Sequence, residues 1–375
     1  MVLIANSCTY VELNPSSLVA SYIRKASTGI LIVGIASGKV IPLPTGFVSI
    51  DRAGIRRVSN TEFVAIAATT TSPQGLYYLS TAPSSHHMKL LRSSSNTVLD
   101  PTLFSRPISI TVPRTQGKDP QGETYAVYLP PHNPMFTAPE GSKPPLIVSI
   151  HGGPTAHATP GLLLQTQYWT SRGYAYVHVN HAGSTGYGRA YQESLNYNWG
   201  IKDVEDSASC VALLVRGGKV DGSRIGIVGS SAGGYTVLKA LEDYPTIWSA
   251  GCCIYGIGNL RDLATKTHKF ESHYLFSLLF RQETSEKAQE IIFNERSPCL
   301  HAEKIERPLL LLHGTNDMVV PMDQAIGMEK LLKEMGKDVK LVLFEGEGHG
   351  IKIEDNIKTA IGEEEALWRR TLVRL

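Results

Sequence analysis

From Leu146 onward, short apolar runs alternate with stretches of helical periodicity, and this alternation constrains the fold more than any other feature of the sequence. Strands that alternate with helices pair in parallel, because each helix carries the chain back across the sheet. The sequence therefore predicts an α/β domain over residues 146–375, with a mostly parallel sheet and helices on both faces. The predicted strands are Leu146–Ile150, Ala175–Val179, Ile225–Val228, Ala250–Ile254, Leu309–Leu312 and Lys340–Phe344.

A small all-β region is expected to precede this domain, over residues 1–113. Its short apolar or alternating runs are separated by turns that contain Gly, Ser and Pro, a pattern typical of strands. The predicted strands are Leu18–Ile23, Ile30–Ile35, Phe63–Ala68 and Leu76–Leu79. Sandwiches, barrels and propeller blades all contain such strands, and spacing alone does not choose among them. Residues 114–145, rich in Pro and Gly around the strand-like stretch Thr124–Leu129, are expected to form a linker with an edge strand.

Charge and cysteine content exclude some classes of protein. With 36 Lys and Arg residues against 34 Asp and Glu, the formal net charge is +2. This balance supplies no basic patch to neutralise phosphates, and we expect no nucleic-acid partner. The five cysteines are irregularly spaced, which indicates buried free thiols. Because we see neither a signal peptide nor a membrane-spanning stretch, we expect a cytoplasmic protein without membrane contacts.

The run Gly229–Gly233, which reads GSSAG, fits the pattern G-x-S-x-G. This pattern marks a sharp strand-to-helix turn that presents a nucleophilic serine, and it needs glycines because the turn crowds the backbone. Here it lies between a predicted strand that ends at Val228 and a helical stretch, Gly234–Leu241. An ordinary Gly/Ser turn is the alternative, but this context favours Ser231 as a nucleophile.

Two further residues lie where the partners of such a serine are expected. In hydrolases with this turn, an acid and then a histidine follow the serine, each after a later strand. Asp317 comes shortly after the predicted strand that ends at Leu312, and His349 follows the last predicted strand. We therefore predict Asp317 as the acid and His349 as the base. The alternatives are a turn or cap role for Asp317, with Asp323 of the following helical stretch as the nearest rival acid.

These residue types suit acyl transfer. A serine hydroxyl attacks a carbonyl only when an imidazole takes its proton, and a carboxylate orients and stabilises that imidazole. The attack produces an oxyanion that needs N–H donors. The predicted donors are the backbone amides of Ala232, directly after the serine, and of Gly153, in the glycine loop His151–Pro154. The alternative for that loop is a tight turn.

Together these motifs resemble the prolyl oligopeptidase family of serine peptidases, and most closely its acylaminoacyl-peptidase and dipeptidyl-peptidase-like branches. The resemblance extends through nearly all of the chain after residue 145. The segments that carry it are His151–Pro154, Asn180–Tyr191, Trp199–Gly200 with Asp203 and Asp206, Gly229–Tyr235, Thr267–Ser272, Asp317–Pro321 and Gly346–Gly350. It implies an α/β-hydrolase fold capped by a β-propeller, and a peptidase that needs neither cofactor nor metal.

The resemblance also has implications for substrate binding and for the N-terminal region. It implies that Val320 lines the pocket for the residue before the scissile bond. His181 and Ala182 depart from the family pattern, so the contacts expected there are not carried over. A full propeller needs several blades of about 45 residues each. We therefore expect residues 1–113 to form only part of a propeller. A truncated form, a gene-model fragment and a reduced paralogue remain open, and unpaired β edges favour a homo-oligomer.

The leading functional hypothesis is a serine peptidase that cleaves short or N-acylated peptides through an acyl-enzyme intermediate. A carboxylesterase or lactonase is the first alternative, because the same three side chains hydrolyse esters and the pocket decides specificity. The second alternative is an inactive truncated fragment that retains the motif. The expected partner is thus a peptide or ester substrate.

Overall fold

The computed structural model describes residues 9–82, 87–96, 100–115, 122–266 and 272–373. Its N-terminal part contains two four-stranded antiparallel sheets, in each of which neighbouring strands follow one another along the chain. The first sheet is β1 (Tyr10–Asn14), β2 (Ser17–Arg24), β3 (Ser27–Gly34) and β4 (Val40–Leu43), and the second is β5 (Ser49–Arg57), β6 (Glu62–Ala68), β7 (Gly75–Ser80) and β8 (Met88–Ser93). One apolar core, with Leu13, Ile30 and Phe63 among its members, is shared between the sheets. The expected all-β region is therefore confirmed, as a pair of propeller-like sheets.

The remaining strands form one eight-stranded sheet with the order β16-β15-β14-β13-β11-β12-β10-β9. These strands are β9 (Ile108–Pro113), β10 (Glu123–Leu129), β11 (Leu146–Ile150), β12 (Ala175–Asn180), β13 (Ile225–Ser230), β14 (Ala250–Ile254), β15 (Leu309–Gly314) and β16 (Val339–Phe344). Strands β11 to β16 are parallel, whereas β9 and β10 extend the sheet beyond β12 as antiparallel strands. All six predicted parallel strands are present. The strand expected at the edge, β10, instead lies between β12 and β9, and β9 forms the edge of the sheet.

Helices cover both faces of this sheet. The described helices are α1 (Leu164–Thr170), α2 (Arg189–Glu193), α3 (Lys202–Arg216), α4 (Ala232–Asp243), α5 (Leu260–Lys266), α6 (Ser272–Leu279), α7 (Glu286–Arg296), α8 (Asp323–Glu334) and α9 (Glu354–Leu372), of which α1, α3, α4, α8 and α9 pack on the faces of the sheet. Side chains alternate between the faces of a strand. Accordingly, Val148 belongs to the core beneath α3, α4 and α8, and Ile147 belongs to the core beneath α1 and α9. The predicted mostly parallel sheet with helices on both faces is confirmed.

The turn between β13 and α4 is tightly packed. Its single connecting residue, Ser231, has φ 56° and ψ −122°, a conformation that a side chain disfavours. A Cβ atom on Gly229 would overlap the carbonyl oxygen of Gly233, and a Cβ atom on Gly233 would overlap the carbonyl oxygen of Ile150. Both glycines are therefore required because the first turn of α4 lies directly against the backbone of β11 and β13.

This contact predicts opposite effects for two glycine-to-alanine substitutions in helices. Gly233→Ala should lower the free energy of unfolding by about 1–3 kcal/mol, because the backbone atoms that it meets cannot move without disturbing the sheet. Gly327→Ala in α8, where a Cβ atom meets nothing within 4 Å, should raise it by about 0.5–1 kcal/mol. Urea denaturation followed by circular dichroism measures both. Equal effects of the two substitutions would contradict the packing described here.

Candidate active site

Three predicted side chains meet at the carboxyl edge of the parallel sheet. Ser231 follows β13, Asp317 follows β15 and His349 follows β16. The Nε2 atom of His349 lies 2.9 Å from Oγ of Ser231, and its Nδ1 atom lies 2.7 Å from Oδ2 of Asp317. The imidazole thus bridges the hydroxyl and the carboxylate, in the order that the sequence predicted.

The loop after β15 holds the carboxylate of Asp317 in place. Its Oδ1 atom accepts hydrogen bonds from the backbone amides of Val319 and Val320, each at 2.9 Å. Burial alone would raise the pKa of Asp317, but the hydrogen bonds from His349 and from these amides outweigh burial and hold the pKa below its ordinary value. Asp317 is therefore ionised at neutral pH. The rival acid Asp323 is the first residue of α8 and is exposed, away from this hydrogen-bond chain.

His313, which the sequence analysis did not predict as a site residue, supports this loop through a hydrogen bond to its backbone. It is fully buried in β15, and its Nε2 atom lies 2.8 Å from the carbonyl oxygen of Val320. Because a carbonyl only accepts hydrogen bonds, this contact requires the proton of the neutral ring to be on Nε2. Burial lowers the pKa of His313, so the ring is neutral. It fixes the loop that in turn orients Asp317.

Tyr255 is a second residue that sequence reasoning missed. It directly follows β14, its backbone has φ 38°, and its ring packs against His349 with centroids 4.7 Å apart. Its hydroxyl forms a hydrogen bond with Ser230, the residue before the predicted nucleophile, and burial raises the pKa of the phenol. The available signal was its place at the carboxyl end of a central parallel strand, where functional side chains collect.

The two predicted oxyanion donors also lie at this site. Gly153 and Ala232 line the same cavity as Ser231. Ala232 is the first residue of α4, and amides in the first turn of a helix have no partner within it. The glycine loop passes close to the serine, since a Cβ atom on Gly152 would lie 3.3 Å from Cβ of Ser231. Both residues therefore lie beside Ser231, and their role as oxyanion donors stays a prediction.

Two stacked histidines support the glycine loop. The rings of His151 and His181 lie 4.5 Å apart at 18°, and Nε2 of His151 lies 2.8 Å from Oγ of Ser184. Burial, followed by the proximity of His181, lowers the pKa of His151 well below its ordinary value. His181 is itself buried, and neither it nor Ala182 lines the cavity that contains Ser231. Of the two departures from the family pattern, His181 therefore supports the loop through its stacking on His151.

A buried ion pair connects this region to the linker. The guanidinium of Arg114 binds Asp206 through both carboxylate oxygens, with Nε at 2.6 Å from Oδ1 and Nη2 at 3.2 Å from Oδ2. The amide of Ala182 donates a hydrogen bond to the same carboxylate at 2.7 Å. Arg114 precedes the antiparallel strand β10, so this pair attaches the linker to α3 and to the loop after β12.

Asp203, one turn earlier in α3, connects two segments beside the cavity. Its carboxylate accepts hydrogen bonds from the amide of Gly200 at 2.7 Å and from the hydroxyl of Thr236 at 2.5 Å. These contacts hold the Trp199–Gly200 turn against α4. The motif residues around Asp203 thus position the wall of the cavity. Of the segment Thr267–Ser272, which also carried the resemblance, residues 267–271 lie outside the described residues.

An apolar cavity of about 420 Å³, which we call the catalytic cavity, opens beside Ser231 and His349. It lies between the edge of the sheet and helices α5 and α6. Its apolar lining includes Trp199, Ile257, Leu263, Leu275, Leu278 and Val320. Val320 is therefore part of the cavity wall, where the resemblance placed it. A cavity of this kind accommodates an apolar side chain next to the predicted nucleophile.

The described part of the chain contains neither a cluster of metal-binding side chains nor a membrane-spanning helix. Among these residues, no group of three or more His, Cys, Asp or Glu side chains could hold a metal ion. Within the same ranges, no helix combines the length and the apolar character needed to cross a membrane. Four cysteines, Cys210, Cys252, Cys253 and Cys299, are free thiols, and Cys8 lies outside the described residues.

Comparison with known proteins agrees with this geometry. Residues 161–373 match the sequence model of the prolyl oligopeptidase family. Dipeptidyl aminopeptidase BIII of Pseudoxanthomonas mexicana is 32% identical over 215 residues, which are 57% of this chain and 31% of that protein. The acylamino-acid-releasing enzyme of Homo sapiens is 27% identical over 251 residues, which are 66% of this chain and 33% of that protein.

A solved structure extends the similarity to the N-terminal sheets. The puromycin-hydrolyzing peptidase of Mycobacterium tuberculosis superposes with a TM-score of 0.90 at 32% identity, over 98% of this chain and 54% of that chain. The chain therefore spans about half the length of this solved relative and about a third of the curated relatives that it matches. The chain belongs to the prolyl oligopeptidase family, and its fold is an α/β-hydrolase preceded by a propeller-like all-β region.

Proposed function

We propose that residues 146–375 form the catalytic domain of a serine peptidase that hydrolyses short or N-acylated peptides. The observation that carries this proposal is the continuous hydrogen-bonded chain from Ser231 through His349 to Asp317 beside an apolar cavity. Ser231 is the nucleophile, His349 the general base and Asp317 the group that orients the imidazole. Residues 1–113 and the linker 114–145 complete the proposed division of the chain.

The proposed mechanism follows from these contacts. Nε2 of His349 takes the proton of Ser231 as the hydroxyl attacks the substrate carbonyl. The ionised Asp317 accepts the Nδ1 proton of His349, which fixes the tautomer and stabilises the imidazolium. The backbone amides of Ala232 and Gly153 stabilise the oxyanion. His349 then protonates the leaving amine, and water releases the acyl group by the same steps in reverse.

The cavity and the family relatives support the proposed substrate class. The apolar lining, including Val320 and Trp199, suits the side chain of the residue before the scissile bond. The relatives are named for dipeptidyl aminopeptidase, acylamino-acid-releasing and puromycin-hydrolyzing activities. Those names agree with substrates in which one or two residues, free or acylated, precede the bond that is cleaved.

The proposal includes contact between the outer surfaces of the N-terminal sheets and another chain. Several large apolar side chains there are exposed, with Tyr10 and Val40 on the first sheet and Leu90 and Leu91 on the second each about half exposed. Edge strands and apolar faces of this kind favour association. A second copy of the chain is the partner proposed from the sequence, and sedimentation measures that association.

A substrate panel separates the peptidase from the esterase alternative. We expect acyl-aminoacyl or dipeptidyl anilides to be hydrolysed, because the site provides both a base and an acid for an amine leaving group. Ser231→Ala should reduce kcat by about 10⁶-fold, whereas Ser230→Ala, which removes only the hydrogen bond to Tyr255, should retain most activity. Hydrolysis of short-chain esters without any anilide cleavage would instead indicate an esterase. A wild-type chain that fails to react with a fluorophosphonate would indicate an inactive fragment.

A pair of aspartate variants tests the assignment of the acid. Asp317→Asn keeps the size of the side chain but favours the wrong imidazole tautomer, so kcat should fall by about 10⁴-fold. Asp323→Asn, at the exposed start of α8, should leave kcat unchanged within error. Steady-state kinetics on one anilide substrate measures both variants. A large loss in Asp323→Asn with a small loss in Asp317→Asn would move the acid to the other residue.

A further inference from the structure

A second cavity lies behind the predicted nucleophile, on the side of the sheet that α9 covers. We call it the rear cavity; its volume is about 310 Å³. Its walls are mainly aliphatic and include Ile254, Leu312, Ile357 and Ile361. Strand ends β13 to β15 form one side of it and α9 forms the other. It shares Ser230 and Tyr255 with the catalytic cavity, but it is not lined by Ser231 or His349.

One buried acid faces this apolar space. Glu364 lines the rear cavity and is only 2% exposed. Its Oε1 atom accepts a hydrogen bond from Nε1 of Trp368 at 2.9 Å. Burial raises the pKa of Glu364 to about 7. A buried carboxyl group is costly, so its presence calls for an explanation.

Among the described residues, none of those packed around Glu364 supplies a positive charge. The titratable groups that face it from neighbouring strands are Tyr176 of β12 and Cys252 of β14. Burial, and then the proximity of Glu364, raises the pKa of both groups, so both are neutral. Gln165 of α1 lines the exposed end of the cavity. A positively charged partner for Glu364 must therefore come from outside this set of residues.

We propose that the rear cavity binds a small primary ammonium compound with an apolar body, through Glu364. The carboxylate forms a charge-assisted hydrogen bond with the ammonium group, and the aliphatic walls cover the apolar body. An anionic ligand is excluded because it would meet this carboxylate in an apolar environment. Since Ser231 and His349 do not line the rear cavity, binding does not depend on the proposed peptidase activity.

The probe is 2-phenylethylammonium, titrated calorimetrically at pH 8.5, where Glu364 is ionised. The protein is the Ser231→Ala chain, so that catalysis plays no part. We expect saturable binding at one site per chain, and the neutral isostere 2-phenylethanol should bind at least about tenfold more weakly because it lacks the ionic contact. Intrinsic tryptophan fluorescence provides a second readout, because Trp368, one of the four tryptophans, donates a hydrogen bond to Glu364.

Three variants locate the binding site. Glu364→Gln should weaken binding by at least about tenfold, whereas Glu363→Gln, which removes only the exposed contact to Lys340, should leave it unchanged. Ile357→Trp, on the exposed rim, should block entry without disturbing the fold, and it replaces Glu364→Gln if that variant fails to fold. The proposal would be overturned if neither Glu364→Gln nor Ile357→Trp weakened binding. It would also be overturned if the probe showed no saturable binding at millimolar concentrations.

Discussion

The first turn of α4 lies directly against the backbones of β11 and β13, and this contact determines how Ser231 is presented. Because neither Gly229 nor Gly233 leaves room for a Cβ atom, the chain can turn only through the positive φ of Ser231. Such a conformation costs about 1–3 kcal/mol and persists only where the surrounding structure imposes it. Here the buried sheet on both sides of β13 supplies that constraint. The hydroxyl is thereby held at the edge of the sheet, within reach of side chains from later strands.

Hydrogen bonds to buried groups hold other parts of the site in place. The amides of Val319 and Val320 keep Asp317 ionised, and His313 fixes the loop that contains those amides. On the other side of the serine, the Arg114–Asp206 pair anchors the loop that follows β12. The charged groups among them, Asp317 and the Arg114–Asp206 pair, would be costly alone, and each has a specific partner. The catalytic geometry therefore depends on interactions that extend from the linker to the loop after β15.

The parallel strands, and the meeting of Ser231, Asp317 and His349 at one edge of the sheet, could be predicted because their signals are local. Strands buried on both faces, such as Leu309–Gly314, read as continuous apolar runs, and residues just after them converge at one edge of a parallel sheet. Strands β1, β4, β5, β8 and β9 were missed. Of these, β4 and β8 are largely exposed and lack an alternating burial pattern. The contacts of Tyr255 with His349 and the burial of Glu364 arise only from tertiary packing. Glu364 in particular lies in a run of three glutamates, which is typical of a solvent-exposed helix face.

The central claim is that Ser231, activated by His349 and oriented by Asp317, forms a covalent acyl-enzyme. The most direct measurement mixes the chain with a p-nitrophenyl ester of an N-acylated apolar amino acid. The reaction is stopped in acid within the first turnover, and the digested protein is analysed by mass spectrometry. The account predicts a stoichiometric burst of nitrophenol and an added acyl mass on the peptide that contains Ser231. Turnover with an unmodified Ser231 peptide, or with the acyl group on another residue, would contradict it.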